Sequence, residues 1–316
     1  MSTFTPHHLS LRDITIRYPN KAIAISDLSL EVMPGEVFGL VGPNGAGKSS
    51  LLKCAAGLLK PAQGSVWCGA VEVTHQPRVT ASYLTLMPDP LGVYNDITAE
   101  EYLEFFAMAY GLSKEVSRER RNLAIERLGL GPWLEHEVET LSAGWQRRLA
   151  LSRVLLANTP IVLLDEPAAG LDVSARSDLL KIVRGFAAEG RAVIVTSHIL
   201  PELEELADRF GIIQKGRWIP AAKDQIFFSR DDLTGAFQKG AWRIECSNPE
   251  AARQILGEDK VQLLPGTTRF RLLAQDREEA AERVAKLVRA GHKIYHFEAE
   301  TLTLAEVTRD ALESKS

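Results

Sequence analysis

Residues 42–49 read GPNGAGKS, from Gly42 to Ser49, and this stretch decides the fold. It fits the pattern G-x-x-x-x-G-K-[ST] of a phosphate-binding P-loop. Its glycines let backbone N–H groups turn inward around phosphate oxygens, and a helix starting behind them adds positive potential. Lys48 can then reach the β- and γ-phosphates of a nucleotide, and the Ser49 hydroxyl can ligate Mg²⁺. The flanks are those the pattern demands. VFGLV (37–41) reads as a strand before it, and KSSLLKCAAGLL (48–59) as a helix after it.

Working outward, Leu9 to Gly42 alternates apolar and polar residues in short runs, which predicts successive strands in an antiparallel layer. From about Ile97 to Asn158 the period changes. Thr98 and Glu101 form a capping-box pattern ahead of EYLEFFAMAY, and further helices are expected at 114–128 and 143–157. This predicts a helical subdomain over about residues 90–158. The SRERR run (117–121) is expected to be a solvated helix face. After it, PIVLLDE, a helix near 174–189, RAVIVTSH and a helix near 202–209 restore β–α alternation, the pattern of a parallel α/β sheet. The acidic ELEEL of that last helix is expected to face water.

The pattern weakens over Ile219–Gly240, where a linker is placed between a first domain of residues 1–218 and a second of residues 241–316. The second reads strand, helix, strand, strand, helix, strand and then a terminal helix. That β-α-β-β-α-β order is ferredoxin-like, an α+β domain. It offers no catalytic constellation, and His292 and His296 are expected in surface or packing roles.

Composition bounds the function classes. The 316 residues are 45% hydrophobic and 25% charged, with net charge −4 and a pI near 6.0. That balance argues against a nucleic-acid partner, which calls for a concentrated basic surface. Cys54, Cys68 and Cys246 lack metal or redox spacing and read as buried thiols. The N-terminus lacks a signal-peptide pattern, and no apolar run approaches the roughly 20 residues that span a bilayer. A cytoplasmic chain without a pore of its own is expected.

Two further stretches carry chemistry. Ile161–Leu164 forms an apolar strand that delivers Asp165 at its C-terminal end, the edge where ligands gather in parallel sheets. Asp165 suits a role holding Mg²⁺ through a water. Glu166 is placed to orient or deprotonate the water that attacks the γ-phosphate. His198 ends the AVIVTSH strand; a lone histidine is ordinarily structural, but in the same sheet as Asp165 a phosphate-sensing role is favoured.

GPNGAGKS, LSAGW (141–145), LLDEP (163–167), GLD (170–172) and TSH (196–198), in that order, resemble the ATPase subunit of ATP-binding-cassette (ABC) transporters over about residues 9–218. The resemblance implies a P-loop NTPase fold, with ATP and Mg²⁺ as ligands. It implies nucleotide binding by Gly42, Pro43, Asn44, Gly45, Ala46, Gly47, Lys48, Ser49 and Ser50, with Tyr18 as the aromatic ring against adenine. It gives Ser142, Gly144 and Asp172 to the nucleotide of a second ATPase subunit, a second copy of this chain in preference to a relative. It gives catalysis to Lys48, Glu166 and His198, and metal binding to Ser49 and Asp165. Several positions depart from the family. Ala143 replaces a glycine and Trp145 a glutamine, Ala168 stands where Thr or Ser is common, and Asp89 replaces the Q-loop glutamine. A carboxylate at Asp89 can contact Mg²⁺ or the attacking water, at the cost of negative charge beside triphosphate.

The 241–316 region, ending in TLTLAEVTRDAL, resembles more loosely the tails of exporter ATPases that pair with separately encoded permeases of drug-resistance, sodium-efflux and gliding-motility types. Together these imply an ATP-driven dimer on the inner face of the cell membrane, driving a separate permease through the helical subdomain. Two other readings compete. A soluble ABC ATPase usually shows two cassettes or a long coiled-coil insert, neither of which is visible. A weakly catalytic ATP-sensing regulator draws some support from Asp89 and Ala143.

Overall fold

Strand β3 (Val37–Val41) is buried at all five positions and sits at the centre of a sheet rather than at its rim. Its neighbours are β8 (Ala192–Thr196) on one side and β9 (Arg209–Gln214) on the other, both parallel to it. Beyond β8 lie β7 (Ile161–Leu164) and β6 (Leu84–Met87), also parallel. Beyond β9, β10 (Arg217–Ile219) pairs antiparallel, and β11 (Phe227–Ser229) also pairs with β9. Strands with both faces covered read as continuous apolar runs. That is why IVLL and AVIVT, buried at every position, belong here. These observations come from a computed structural model that describes residues 5–20, 22–92, 94, 96–220, 225–230, 241–264, 267–274, 277–299 and 304–313.

The antiparallel layer is a separate four-stranded sheet, ordered β2 (Ile23–Val32), β1 (Leu9–Arg17), β4 (Gln63–Cys68) and β5 (Val71–Glu72). The sequence places VFGLV in this layer; the structure moves it to the parallel sheet, because a run buried on both faces cannot stand in a half-solvated one. The inner faces of both sheets and helix α1 (Lys48–Ala55) share one core, with Leu11, Ile16, Ile25, Leu28, Phe38 and Leu51 among its members. Each such side chain contributes about 1.5–3 kcal/mol on burial. Cys54 and Cys68 lie in that core as free thiols pushed up to about 12 by desolvation, and Cys246 is likewise free and buried.

After the short α2 (Pro77–Tyr83), the helical segment holds α3 (Ala99–Ala109), α4 (Lys114–Leu128) and α5 (Ala143–Ala157). The capping box forms: the Glu101 N–H donates to Thr98 Oγ1 at 3.2 Å, and the Thr98 N–H to Glu101 Oε2 at 2.7 Å. The arginine run is not simply a solvated face. Arg120 donates to the carbonyls of Leu156 and Ala157 at 2.7 and 3.3 Å, placing a cation on the C-terminal end of α5. Arg121 pairs with Glu100 and Glu104 of α3 at 3.0 and 2.7 Å.

Two more corrections follow the sheet. The helix expected to reach Arg209 is α7 (Leu200–Leu206), shorter because Arg209 already belongs to β9. Its Glu202 does not face water. At 6% exposure it pairs with Arg176 at 2.6 Å and accepts from Ser197 Oγ at 3.0 Å.

By packing, the chain divides into two compact units, residues 1–228 with 308–316 and residues 229–307. The second contains β12 (Ala241–Cys246), α8 (Pro249–Leu256), β13 (Val261–Leu263), β14 (Arg269–Leu273), α9 (Arg277–Arg289) and β15 (Ile294–Ala299). All its strand pairs are antiparallel, in the order β13-β14-β12-β15. This is the ferredoxin-like arrangement, closed over its own core of Trp242, Ile244, Phe270 and Leu272. The terminal helix is α10 (Leu304–Glu313).

Candidate nucleotide site

The loop after β3 turns into α1 through Gly47, whose φ of +113° only glycine adopts without strain. Lys48, 7% exposed, folds back so that Nζ donates to the carbonyls of Gly42 and Pro43 at 2.7 and 3.3 Å. Burial holds its ammonium below the usual lysine range, while Glu166 and Asp165 pull the other way. A cleft of about 470 Å³ opens in front of this loop. Its lining gathers Asn44 to Ser50, Tyr18, Asp89, Asp165 and Glu166, residues scattered over nearly 150 positions of sequence. Tyr18 stands at the mouth, 38% exposed, and its hydroxyl shares a 2.9 Å hydrogen bond with Ser50.

Asp165 lies at the end of β7, 2% exposed, where Thr196 Oγ1 donates to its Oδ1 at 2.7 Å. The same hydroxyl accepts the Glu166 N–H at 2.9 Å. Glu166 occupies the left-handed region, φ +48°, which a non-glycine residue enters only when its surroundings compel it. Its carboxylate is compelled by His198, whose Nδ1 lies 2.7 Å from Oε2 and whose backbone N–H donates to the same oxygen at 3.2 Å. Its carbonyl accepts from Arg147 Nη1 at 2.9 Å. Asp89 borders the cleft, but its Oδ1 accepts from Arg147 Nη2 at 3.2 Å.

Ser142, Gly144 and Asp172 do not line this cleft. They line a second one of about 340 Å³ with Trp145, Arg148 and Asp178. Ser142 caps α5, accepting the Trp145 N–H at 3.5 Å, and no acidic residue occupies that helix's first turn. Asp172 caps α6 (Val173–Ala188), accepting the Ala175 N–H at 2.9 Å. The Trp145 ring packs on Trp133, 5.0 Å between centroids, with the Arg148 guanidinium 4.9 Å over it and Asp178 2.8 Å from Arg148.

The profile of the family described as ABC transporter matches residues 25–169. The linearmycin resistance ATP-binding protein LnrL of Bacillus subtilis is 32% identical over 211 residues, 67% of this chain and 68% of that protein. The ABC transporter ATP-binding protein NatA of the same organism is 30% identical over 215 residues, covering 67% and 87%. This chain is an ABC transporter ATP-binding protein. The Nod factor export ATP-binding protein I of Burkholderia pseudomallei is similar too, 34% identical over 211 residues, 67% of this chain and 69% of that protein. A solved structure of the ATP-binding subunit of an ABC transporter superposes with a TM-score of 0.64 at 28% identity, over 72% of this chain and 92% of that one. As an ABC ATPase, the chain binds and hydrolyses ATP.

Two residues of the site escape a reading of the sequence. Thr196 bridges Asp165 and Glu166, and its signal is present, two residues before His198 at the same strand end. Arg147 had none, since its two partners lie 19 and 58 positions away.

Proposed function

We propose that this chain is the ATP-hydrolysing subunit of an exporter, closing with a second ATPase subunit, preferably a copy of itself, around two nucleotides. It works beside a separately encoded permease on the inner face of the cell membrane. The observation that carries the dimer is the pair of half-sites. Lys48, Asp165 and Glu166 line one cleft while Ser142, Gly144 and Asp172 line another. Each is complete only when a second subunit supplies the missing half. The N-terminus of α5, free of acidic residues, then offers N–H and hydroxyl donors to a γ-phosphate held by the other subunit's P-loop. Export is supported by the similarity to proteins named for resistance and export. Among the described residues no helix is long and apolar enough to cross a membrane, which suits a separate permease. The boundaries read from the sequence, 1–218 and 241–316, need adjusting at two places, since β11 pairs with β9 and residues 308–316 group with the first unit; the helical subdomain over about 90–158 is the part that faces the permease.

Mg²⁺ fits the donors present. Ser49 and Asp165 offer hard oxygens at the cleft, and among the described residues no cluster of three His, Cys, Asp or Glu competes for a metal. A cation of this kind takes one or two protein oxygens and fills its shell from phosphates and water, neutralising charge as it builds on the phosphates. Thr196 holds the Asp165 carboxylate in place for that role. Tyr18 supplies a ring at the cleft mouth for adenine. Lys48 leaves its loop carbonyls for phosphate oxygens. Glu166, steadied by His198, accepts the proton of a water whose oxygen bonds to the γ-phosphorus as the bridge to the β-phosphate breaks.

Glu166→Gln tests this. The amide keeps the shape but cannot take the proton, so nucleotide binding should survive, turnover should fall by roughly 10²–10⁴, and a dimer should accumulate on size exclusion with ATP. Wild-type turnover in that variant overturns the assignment.

A further inference from the structure

We propose that Arg147 is the positioning residue for Glu166 and that Asp89 is the anchor that keeps it there. This rests on the reading of Glu166 as the group that takes the proton from water. Glu166 carries a left-handed backbone, so its carboxylate points correctly only while each end of the residue is tied. Thr196 ties its N–H at 2.9 Å and His198 its carboxylate, and Arg147 ties the carbonyl at 2.9 Å. The carbonyl also accepts the Ala169 N–H, at 3.2 Å, so without the guanidinium only that longer backbone bond holds the peptide after Glu166, and the side chain gains room to turn with it.

The chemistry of Arg147 matches the task. A guanidinium presents two parallel donors at fixed separation; one Nη meets Glu166 O and the other meets Asp89 Oδ1 at 3.2 Å. The Arg147 side chain is 11% exposed, so its bond to the carbonyl is sheltered from water. Asp89 is 38% exposed, and a pair that open contributes little to stability by itself. Its effect is directional, aiming the guanidinium. A carboxylate does this better than the glutamine the family favours at this position, because it holds the cation by charge as well as by hydrogen bond. Asp89 thereby ceases to be a metal ligand and becomes part of the apparatus that orients Glu166.

Position in the fold gives the contact further reach. Arg147 stands on α5 five residues from Ser142, the cap that lines the second cleft. The helix that meets the other subunit's nucleotide therefore also holds Glu166 of its own subunit. Asp89 and Arg147 both border a further groove of about 390 Å³, lined mainly by apolar residues such as Leu91, Tyr102, Val138 and Leu149.

The test uses the full chain, with steady-state ATPase assays and titration with a non-hydrolysable ATP analogue. Arg147→Gln should lower kcat roughly 10- to 100-fold, the size of a lost charge-assisted hydrogen bond. KM and analogue affinity should stay within about twofold, since the interaction matters to the reacting geometry and not to binding. Arg147→Lys should recover part of the loss, because an ammonium reaches one oxygen but not both. Asp89→Asn should lose less than Arg147→Gln, and the double variant should be no worse than Arg147→Gln alone, as members of one network are not additive. Wild-type kcat in Arg147→Gln, or losses that simply add, overturns the proposal. So does a fall in affinity that matches the fall in kcat. Thermal melts identify any variant that fails to fold; should Arg147→Gln do so, Arg147→Lys and Asp89→Asn decide by the same criteria. Glu166→Gln run alongside separates the two ideas. If it hydrolyses normally, the role of Glu166 fails; if it is inactive while Arg147→Gln is normal, only the present proposal fails.

Discussion

Replacing Gly47 by alanine should damage both fold and binding, and the structure says by how much. A Cβ built there would lie 2.6 Å from the Ala24 carbonyl oxygen and 2.7 Å from Ile25 Cδ1. Non-bonded carbons rest at about 3.5–4.0 Å, so either β2 or the loop must retreat. Overpacking of this kind costs roughly 1–3 kcal/mol. The φ of +113° adds roughly 1–2 kcal/mol for an L-residue. Together that is about 2–5 kcal/mol, and at roughly 2–4 °C per kcal/mol for a unit of this size the midpoint should drop by roughly 4–20 °C. Gly45 is the control. Its φ is +78°, but an added Cβ there meets nothing within 4 Å. Gly45→Ala should therefore lose only the backbone share, roughly 1–2 kcal/mol. Its methyl would stand in the cleft where phosphate oxygens approach backbone N–H groups, so nucleotide binding should suffer while the fold holds. Thermal unfolding of both variants, with analogue titration by calorimetry, reads out the two effects. If Gly47→Ala melts no lower than Gly45→Ala, the close seating of the loop on β2 is refuted.

Tyr18→Ala should weaken ATP binding by about 1–3 kcal/mol if the ring stacks on adenine, whereas Tyr18→Phe should forfeit only the hydroxyl bond to Ser50; equal losses by calorimetry would refute stacking. For Glu202, burial raises the carboxyl above 4.5 in the folded chain, with Ser197 and Arg176 opposing. A raised carboxyl gives stability that is full below the unfolded pKa and is lost as pH climbs through the folded value. Glu202→Gln should therefore lose that pH dependence. Arg176→Met, which strips the buried carboxylate of its cation, should cost up to about 3 kcal/mol near neutral pH and less as the medium is acidified and Glu202 takes up a proton; melts showing one constant gap across pH would sink this.

What was legible in the sequence is what local pattern determines. The P-loop announces itself because strand, glycines, lysine and helix are contiguous, and IVLL and AVIVT because burial on both faces leaves an unbroken apolar run. The helices at 114–128 and 143–157 follow from period and caps, and the ferredoxin-like unit from element order. The errors share a cause of another kind. Missing β6, running α7 into β9, and reading Arg120, Arg121 and Glu202 as solvated all turn on partners distant in sequence; β3 is the exception, since VFGLV is an unbroken apolar run like IVLL and carried its signal locally. Glu202 shows the mechanism: within ELEEL it looks like one more acid on a polar face, and only Arg176, on another helix, makes its burial affordable.

The same distinction explains the positions at which this chain leaves its family's pattern. A substitution at a motif position invites a chemical explanation, but the contacts around two of these are structural. Trp145 is packed on Trp133 and under Arg148, which is fixed in turn by Asp178, so its ring belongs to a stack joining the start of α5 to α6. Asp89 is engaged by Arg147. Both departures therefore come paired with a basic residue of the same helical turn, Arg148 and Arg147 respectively, and neither basic residue draws notice inside LSAGWQRRLALSR. The two arginines point to different partners, one to α6 beside the second cleft and one to Glu166 in the first. The stretch that holds no acid, base or nucleophile of its own thus sits between the two half-sites, with a cation directed toward each.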